Sequence, residues 1–180
     1  MTIAYRDAEL DCEACATVPP DEACPESCDR RFVLSSWSRS MKGAHSAGMI
    51  WHEDWSTVMH AQIGRLIADP DTRTVIAFEN TDPRFTYGFI AGDTSDKLSP
   101  IVFYVFVKAP YRLAGYARGL FAELGVDPAQ RFTYACKTGV ITKLAYCIPR
   151  AKWNPDVARY PRKAPSGPRR FPMEGEEDGR

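Results

Sequence analysis

The sequence predicts an α/β (α+β) domain: a mixed, mostly antiparallel central sheet flanked by helices, with a cysteine-rich loop inserted near the N-terminus. Three observations carry that prediction. The run Ile101–Val107 reads Ile-Val-Phe-Tyr-Val-Phe-Val, every residue β-branched or aromatic and none charged, the pattern of a strand buried on both faces. Behind it, Leu113, Tyr116, Ala117, Leu120, Phe121 and Leu124 recur at helical spacing, after a break at Lys108-Ala109-Pro110. Ahead of it, residues 74–78 and 85–91 are β-prone and flank the turn signal Asn80-Thr81-Asp82-Pro83, which reads as a hairpin. A hairpin followed by strand–helix–strand suits a sheet of mixed direction.

The remaining elements follow in chain order. Residues 2–6 form a short β-prone run, the expected first strand. Residues 9–29 break the regular pattern; they hold Cys12, Cys15, Cys24, Cys28 and two adjacent prolines, and read as a loop insertion. Asp29 is a good N-cap for a first helix, with Phe32, Val33, Trp37 and Met41 at helical spacing. Residues 43–51 are small and glycine-containing, hence a loop. A second helix carries Trp55, Val58, Met59, Gln62, Ile63, Leu66 and Ile67 as its stripe and stops at Asp69-Pro70-Asp71. Residues 92–99 are a polar turn. Gly125-Val126-Asp127-Pro128 stops the central helix, residues 132–136 read as a fifth strand, and residues 137–146 as a short helix. From residue 157, prolines, glycines and a switch from basic to acidic side chains indicate a flexible tail. The expected organisation is one domain over 1–156, with 9–29 as the insertion, and a tail over 157–180.

Composition agrees. A chain of 180 residues, 44% hydrophobic and 26% charged, is a globular chain of one-domain length. Lys plus Arg equals Asp plus Glu, 23 each, so no global charge draws nucleic acid. No uninterrupted apolar run reaches membrane-spanning length, and the opening Met1-Thr2-Ile3-Ala4-Tyr5-Arg6-Asp7 is not a signal peptide. The expected setting is a reducing cytoplasm, where six cysteines need not pair.

A buried strand, a tight turn and a helix start make an anion site. First-turn N–H groups lack intrahelical partners, and the helix dipole adds partial positive charge there. Gly115 and Ala117 keep the turn bare, and Arg112 adds a charge at its edge. The pattern Arg112-x-x-Gly115-x-Ala117 after an aliphatic strand end resembles the pyrophosphate loop of the GNAT superfamily, the acyl-CoA-dependent N-acyltransferases. Ile3-x-Tyr5-Arg6-x-Ala8 and Tyr87-Gly88-Phe89-Ile90 are similar to the family's first and third strands. The element order is also similar, over residues 2–155 apart from the insertion. A looser similarity, to small GNAT-like proteins of tailed phages, lies in the run from Phe32 to Ser40 and in Tyr104-Val105-Phe106-Val107-Lys108.

The resemblance implies a GNAT-like fold with acetyl-CoA as cosubstrate. It implies the pyrophosphate on Arg112, Leu113, Ala114, Gly115, Tyr116 and Ala117, and the pantetheine arm along Val105, Phe106 and Val107. An amine acceptor would attack the thioester directly, its carbonyl polarised by the strand backbone near Phe106 and Val107. Tyr146 would protonate the departing thiolate; from the residues alone it reads equally as an aromatic in a helix–sheet seam. The chain departs from the family at Ala114, where a polar residue is usual, and at Gly139, where Asn is usual. Glu79, closing a strand, is the candidate general base, beside His52, His60 and the loop residue His45. Acceptor choice is expected to lie in residues 43–53 and 93–99.

The cysteines carry a separate reading. Cys12-x-x-Cys15 and Cys24-x-x-x-Cys28 can place four thiolates around one structural zinc ion and so fasten a loop too polar to fold alone. Two disulfides and four reduced thiols are the other readings. Cys136 and Cys147 read as small buried hydrophobes. Arg150, Lys152, Arg159, Arg162, Lys163, Arg169 and Arg170, with Trp153, Tyr160 and Phe171, form a basic aromatic stretch suited to nucleic-acid phosphates and bases, or a solvated tail. No membrane partner is expected. The functional expectation is a GNAT-like N-acetyltransferase. The alternatives are a non-catalytic GNAT-fold binding or virion-associated protein, and a GNAT-like enzyme that modifies nucleic-acid bases.

Overall fold

The computed structural model describes residues 2–12, 28–41, 52–136 and 151–155. The elements run β1 (Ile3–Asp7), α1 (Asp29–Met41), α2 (His52–Ile67), β2 (Thr72–Glu79), β3 (Asp82–Asp93), β4 (Ile101–Val107), a 3-10 turn (Ala109–Tyr111), α3 (Tyr116–Leu124), β5 (Phe132–Tyr134) and β6 (Ala151–Trp153). One six-stranded sheet has the order β1-β2-β3-β4-β5-β6. The first four strands pair antiparallel, β4 pairs β5 in parallel, and β5 pairs β6 in parallel. Among the described residues no helix is long and apolar enough to cross a membrane.

The sheet has a core on each face because its central strands are apolar on both. Val75, Tyr87, Ile90, Val105, Leu120 and Phe121 pack between the sheet and α3. Val33, Trp37, Ile63, Ile76, Phe89 and Tyr104 pack between the sheet and the α1–α2 pair. Burying each such large side chain is worth roughly 1.5–3 kcal/mol. The apolar stripe of α2 is met at Trp55, Met59, Ile63, Leu66 and Ile67, whereas Val58 is exposed.

Several boundaries differ from the sequence reading, each for a local reason. Asp29 is not the cap of α1. Its carboxylate is drawn to Arg6 and to the Glu9 N–H, at 3.0 Å from Arg6 Nη2 and 2.9 Å from the amide. Capping passes to Cys28, whose Sγ accepts from the Arg31 N–H at 3.4 Å. Helix α3 starts at Tyr116, so Leu113 leaves its stripe: it has φ 71° and is 96% exposed. Strand β5 ends at Tyr134, two residues earlier than expected, where its ladder with β4 stops at Val102↔Tyr134. Strand β6 was not expected at all; Lys152 and Trp153 belong to the sheet and not to the basic tail. The expected loop 43–51, helix 137–146 and tail 157–180 lie outside the described residues.

Candidate functional site

The site grows from a disagreement between β4's two edges. Toward β5 the pairing stops after Ile101↔Thr133 and Val102↔Tyr134, closed by Thr133 N–H to Pro100 O at 2.9 Å and Ala135 N–H to Val102 O at 3.0 Å. Toward β3 the pairing continues through Tyr104↔Ala91 and Phe106↔Phe89 to Lys108, whose N–H donates to Tyr87 O at 2.9 Å. Among the described residues, β4 from Phe103 onward therefore has one open edge.

A bulge decides what that edge offers. The register slips between Ala91 and Gly92, leaving Phe103 as an extra residue on β4. Phe103 and Tyr104 consequently face the same core, while Val102 and Val105 face the other. The slip also exchanges which main-chain groups face which neighbour. Pro100 and Val102 turn their carbonyls to β5. Beyond the bulge the hydrogen-bonded pairs with β3 fall at Tyr104, Phe106 and Lys108, alternating as antiparallel pairing requires. The glycines of β3 record it: a Cβ at Gly88 would lie 2.3 Å from the Phe106 carbonyl oxygen, so that oxygen points at β3. Val105 and Val107 are left with N–H and C=O facing the gap. Of the three residues expected to line the cosubstrate's arm, Val105, Phe106 and Val107, the bulge turns the main-chain groups of Phe106 toward β3 and those of Val105 and Val107 away from it.

The turn after β4 forms the gap's rim. Pro110 sits in the 3-10 turn, with Tyr111 N–H to Lys108 O at 3.0 Å and Arg112 N–H to Ala109 O at 3.3 Å. Gly115 is the N-cap of α3 at φ 86°, with no capping side chain and no atom within 4 Å of where a Cβ would stand. The helix's first bond runs from Gly119 N–H to Gly115 O. The N–H groups of Tyr116, Ala117 and Arg118 thus have no acceptor inside the helix. Arg112, Leu113, Ala114 and Gly115 are exposed, and α3 has no acid in its first turn. An open helix start of this kind attracts an anion. Arg112 does not reach outward: its Nε donates to Val107 O at 3.1 Å.

Behind the turn stands an aromatic group that sequence reasoning missed. Tyr87 is fully buried, with its ring centroid 4.8 Å from those of both Tyr111 and Tyr116. Its hydroxyl donates to Glu79, which also accepts from the Thr2 N–H at 3.1 Å. That hydroxyl, above all, holds the Glu79 carboxyl below its usual range, and the same bond raises the Tyr87 phenol. Glu79 lies on β2, with β3 between it and the open edge of β4. It is a fixed acceptor that braces the turn's aromatic backing, a poor fit to the general base expected of it. The signal in sequence was the tyrosine spacing of residues 87, 111 and 116, which has meaning only once β3 and the turn are adjacent.

Other polar groups are structural in their surroundings. The Tyr104 phenol shares a hydrogen bond with Ser40, stacks on Trp37 at 4.7 Å and is pushed up to about 12 by burial. Burial pushes the Cys136 thiol up to about 11, in line with its reading as a small hydrophobe. Lys108 Nζ lies 5.2 Å from the ring centres of both Phe32 and Phe85, and burial lowers it. Tyr146, Cys15 and Cys24 lie outside the described residues. Among the described residues no cluster of three or more His, Cys, Asp or Glu is placed to hold a metal.

No family model and no curated protein matches the sequence. Solved structures match the backbone. A predicted acetyltransferase from Clostridium acetobutylicum, solved with acetyl-CoA, aligns over 81% of this chain and 88% of its own at TM-score 0.51 and 12% identity. An acetyl transferase assigned in Pyrococcus furiosus aligns over 96% of this chain and 100% of its own at TM-score 0.50 and 12% identity. The mixed, mostly antiparallel sheet flanked by helices that the sequence predicts is the architecture found, and its backbone resembles those of these two acetyltransferase structures.

Proposed function

We propose that this GNAT-fold chain is an N-acetyltransferase that passes the acetyl group of acetyl-CoA to an amine. One observation carries the reading: the open edge of β4 at Val105 and Val107 leads straight into the bare turn Arg112–Ala117. An extended amide chain ending in a diphosphate matches both halves. Its amides pair with a strand edge, and its phosphates meet unpaired helix N–H groups. The Clostridium neighbour, solved with acetyl-CoA, supports the choice of cosubstrate.

In this reading the acceptor amine attacks the thioester carbonyl. The N–H of Val105 or Val107 polarises the carbonyl oxygen as it gains charge. The C–S bond then breaks and Tyr146 gives its proton to the thiolate. The low-lying Glu79 carboxylate is assigned to holding Tyr87, and the amine's proton leaves to water. The cysteine insertion is read as a zinc-fastened loop, with Cys12 and Cys28 at its two ends. Acetyl-CoA should raise the unfolding midpoint, since a ligand of the native state stabilises it. Thiol release in the presence of an amine panel should fall about 10²–10⁴-fold in Tyr146→Phe with the thermal shift retained. No shift in the wild type would remove the function; a shift with equal release rates would remove Tyr146.

A further inference from the structure

We propose that the acceptor is a monoamine with an aromatic or apolar body, taken up as the free base. The proposal names the substrate class for the acetyl-CoA reading above and rests on it. With the diphosphate at the turn, the arm runs back along Val107 and Val105 toward the point where β4 and β5 part, closed by Ala135 N–H to Val102 O. From Val107 to Phe103 is roughly 13 Å of strand at about 3.3 Å per residue. That puts the sulfur end of the arm near Phe103 and Tyr104.

Only one side of the edge is open to an acceptor there. On the α3 side Val102, Val105, Val107 and Tyr116 are buried. On the α1–α2 side Phe32, Phe106 and Cys136 are half-buried and Ser40 is exposed, so this side receives the amine. Its floor is uncharged. Tyr104, 2% exposed, shares a hydrogen bond with Ser40, and the Trp37 indole N–H donates to the Cys136 thiol. Burial is the main influence on Tyr104, Cys136 and Lys108; Arg112 is the charged group felt by Tyr104, and among the described residues no carboxylate bears on any of the three. The Lys108 ammonium already takes the Phe32 ring's attraction for a cation, at 5.2 Å from its centre, and Phe32 lies 6.3 Å from Phe106.

A protonated amine entering this site gives up water and meets no counter-charge, so the free base is favoured. The free base is also the form that reacts. Its lone pair makes the N–C bond as the C–S bond breaks, and its surplus proton leaves to water, so no side chain has to act as base. A second ammonium on the acceptor would lie along the rings that Lys108 shares and be repelled. An aromatic body instead packs on Phe32 and Phe106.

The test measures thiol release from acetyl-CoA with phenethylamine and with putrescine, on the wild type and Ser40→Asp. Circular dichroism and the acetyl-CoA thermal shift are recorded for both proteins. Wild-type kcat/KM should favour phenethylamine by roughly 10–100-fold, the scale on which a site refuses a charge it cannot pair. Ser40→Asp sets a carboxylate beside Tyr104 at an exposed position and should cut that preference about 10-fold. The wild-type kcat/KM for phenethylamine should rise about tenfold per pH unit toward the amine's own pKa, and a less basic analogue should level off at a correspondingly lower pH. If Ser40→Asp does not fold, the wild-type preference and the two pH profiles decide. No release with phenethylamine, a preference for putrescine, a preference untouched in folded Ser40→Asp, or one inflection shared by both amines would overturn the proposal, while the thermal shift leaves acetyl-CoA binding standing. A wild type without that shift would remove the functional reading and this proposal together.

Discussion

Glu79 and Tyr87 show how a single contact redirects a residue's role. By sequence position Glu79 closes a strand and looks available. In the fold its carboxylate accepts from a buried phenol, and Tyr87 in turn packs on Tyr111 and Tyr116, which flank the turn. The bond lowers Glu79 and raises Tyr87. Its stabilisation is therefore full above the ordinary carboxylate range and lost as pH falls through the lower folded value of Glu79. At the alkaline end it is lost only above the ordinary tyrosine range. Tyr87→Phe should accordingly have a lower urea midpoint than the wild type at neutral pH, with the gap closing below about pH 4. A gap that stays constant down to pH 3 would separate Glu79 from Tyr87.

Among the elements, what was legible in sequence was whatever a local pattern dictates. The apolar run of β4 and the stripe of α2 announce themselves, because burial on both faces or on one stripe leaves a periodic record. The bulge at Phe103, the parting of β4 from β5 and the short β6 leave none, since each depends on a partner strand far away in sequence. Leu113 misled for a related reason: an apolar residue at helical spacing was counted into α3, while the backbone uses it at φ 71° to open the turn. The cysteine insertion is the element whose chemistry rests most on spacing. Its two ends are held together by Arg6 and the Glu9 amide on Asp29, and by Arg30 Nη1 to Leu10 O at 3.2 Å. This stem sets Cys12 and Cys28 at the entrance and exit of the loop. Purified protein should carry about one equivalent of zinc by elemental analysis, as one four-thiolate site requires. Metal-free protein with a melt indifferent to chelator would leave the disulfide and reduced-thiol readings.

At the scale of the molecule, the order of elements was readable and the site was readable only in half. The bare helix start is local, and Arg112, Gly115 and Ala117 mark its turn in sequence. The edge of β4 beside it, open among the described residues, depends on strand pairings between residues far apart in sequence. The central claim is that these two halves form one acetyl-CoA site, and the residue on which it turns is Gly115. A Cβ there would meet nothing within 4 Å, so the space is open, but φ 86° suits glycine and a side chain would project where the phosphates should lie. The most direct test is calorimetric titration of acetyl-CoA into the wild type and Gly115→Glu, with circular dichroism as the check on folding. The account predicts saturable one-site binding by the wild type and none by the folded variant; unchanged affinity in folded Gly115→Glu would contradict it.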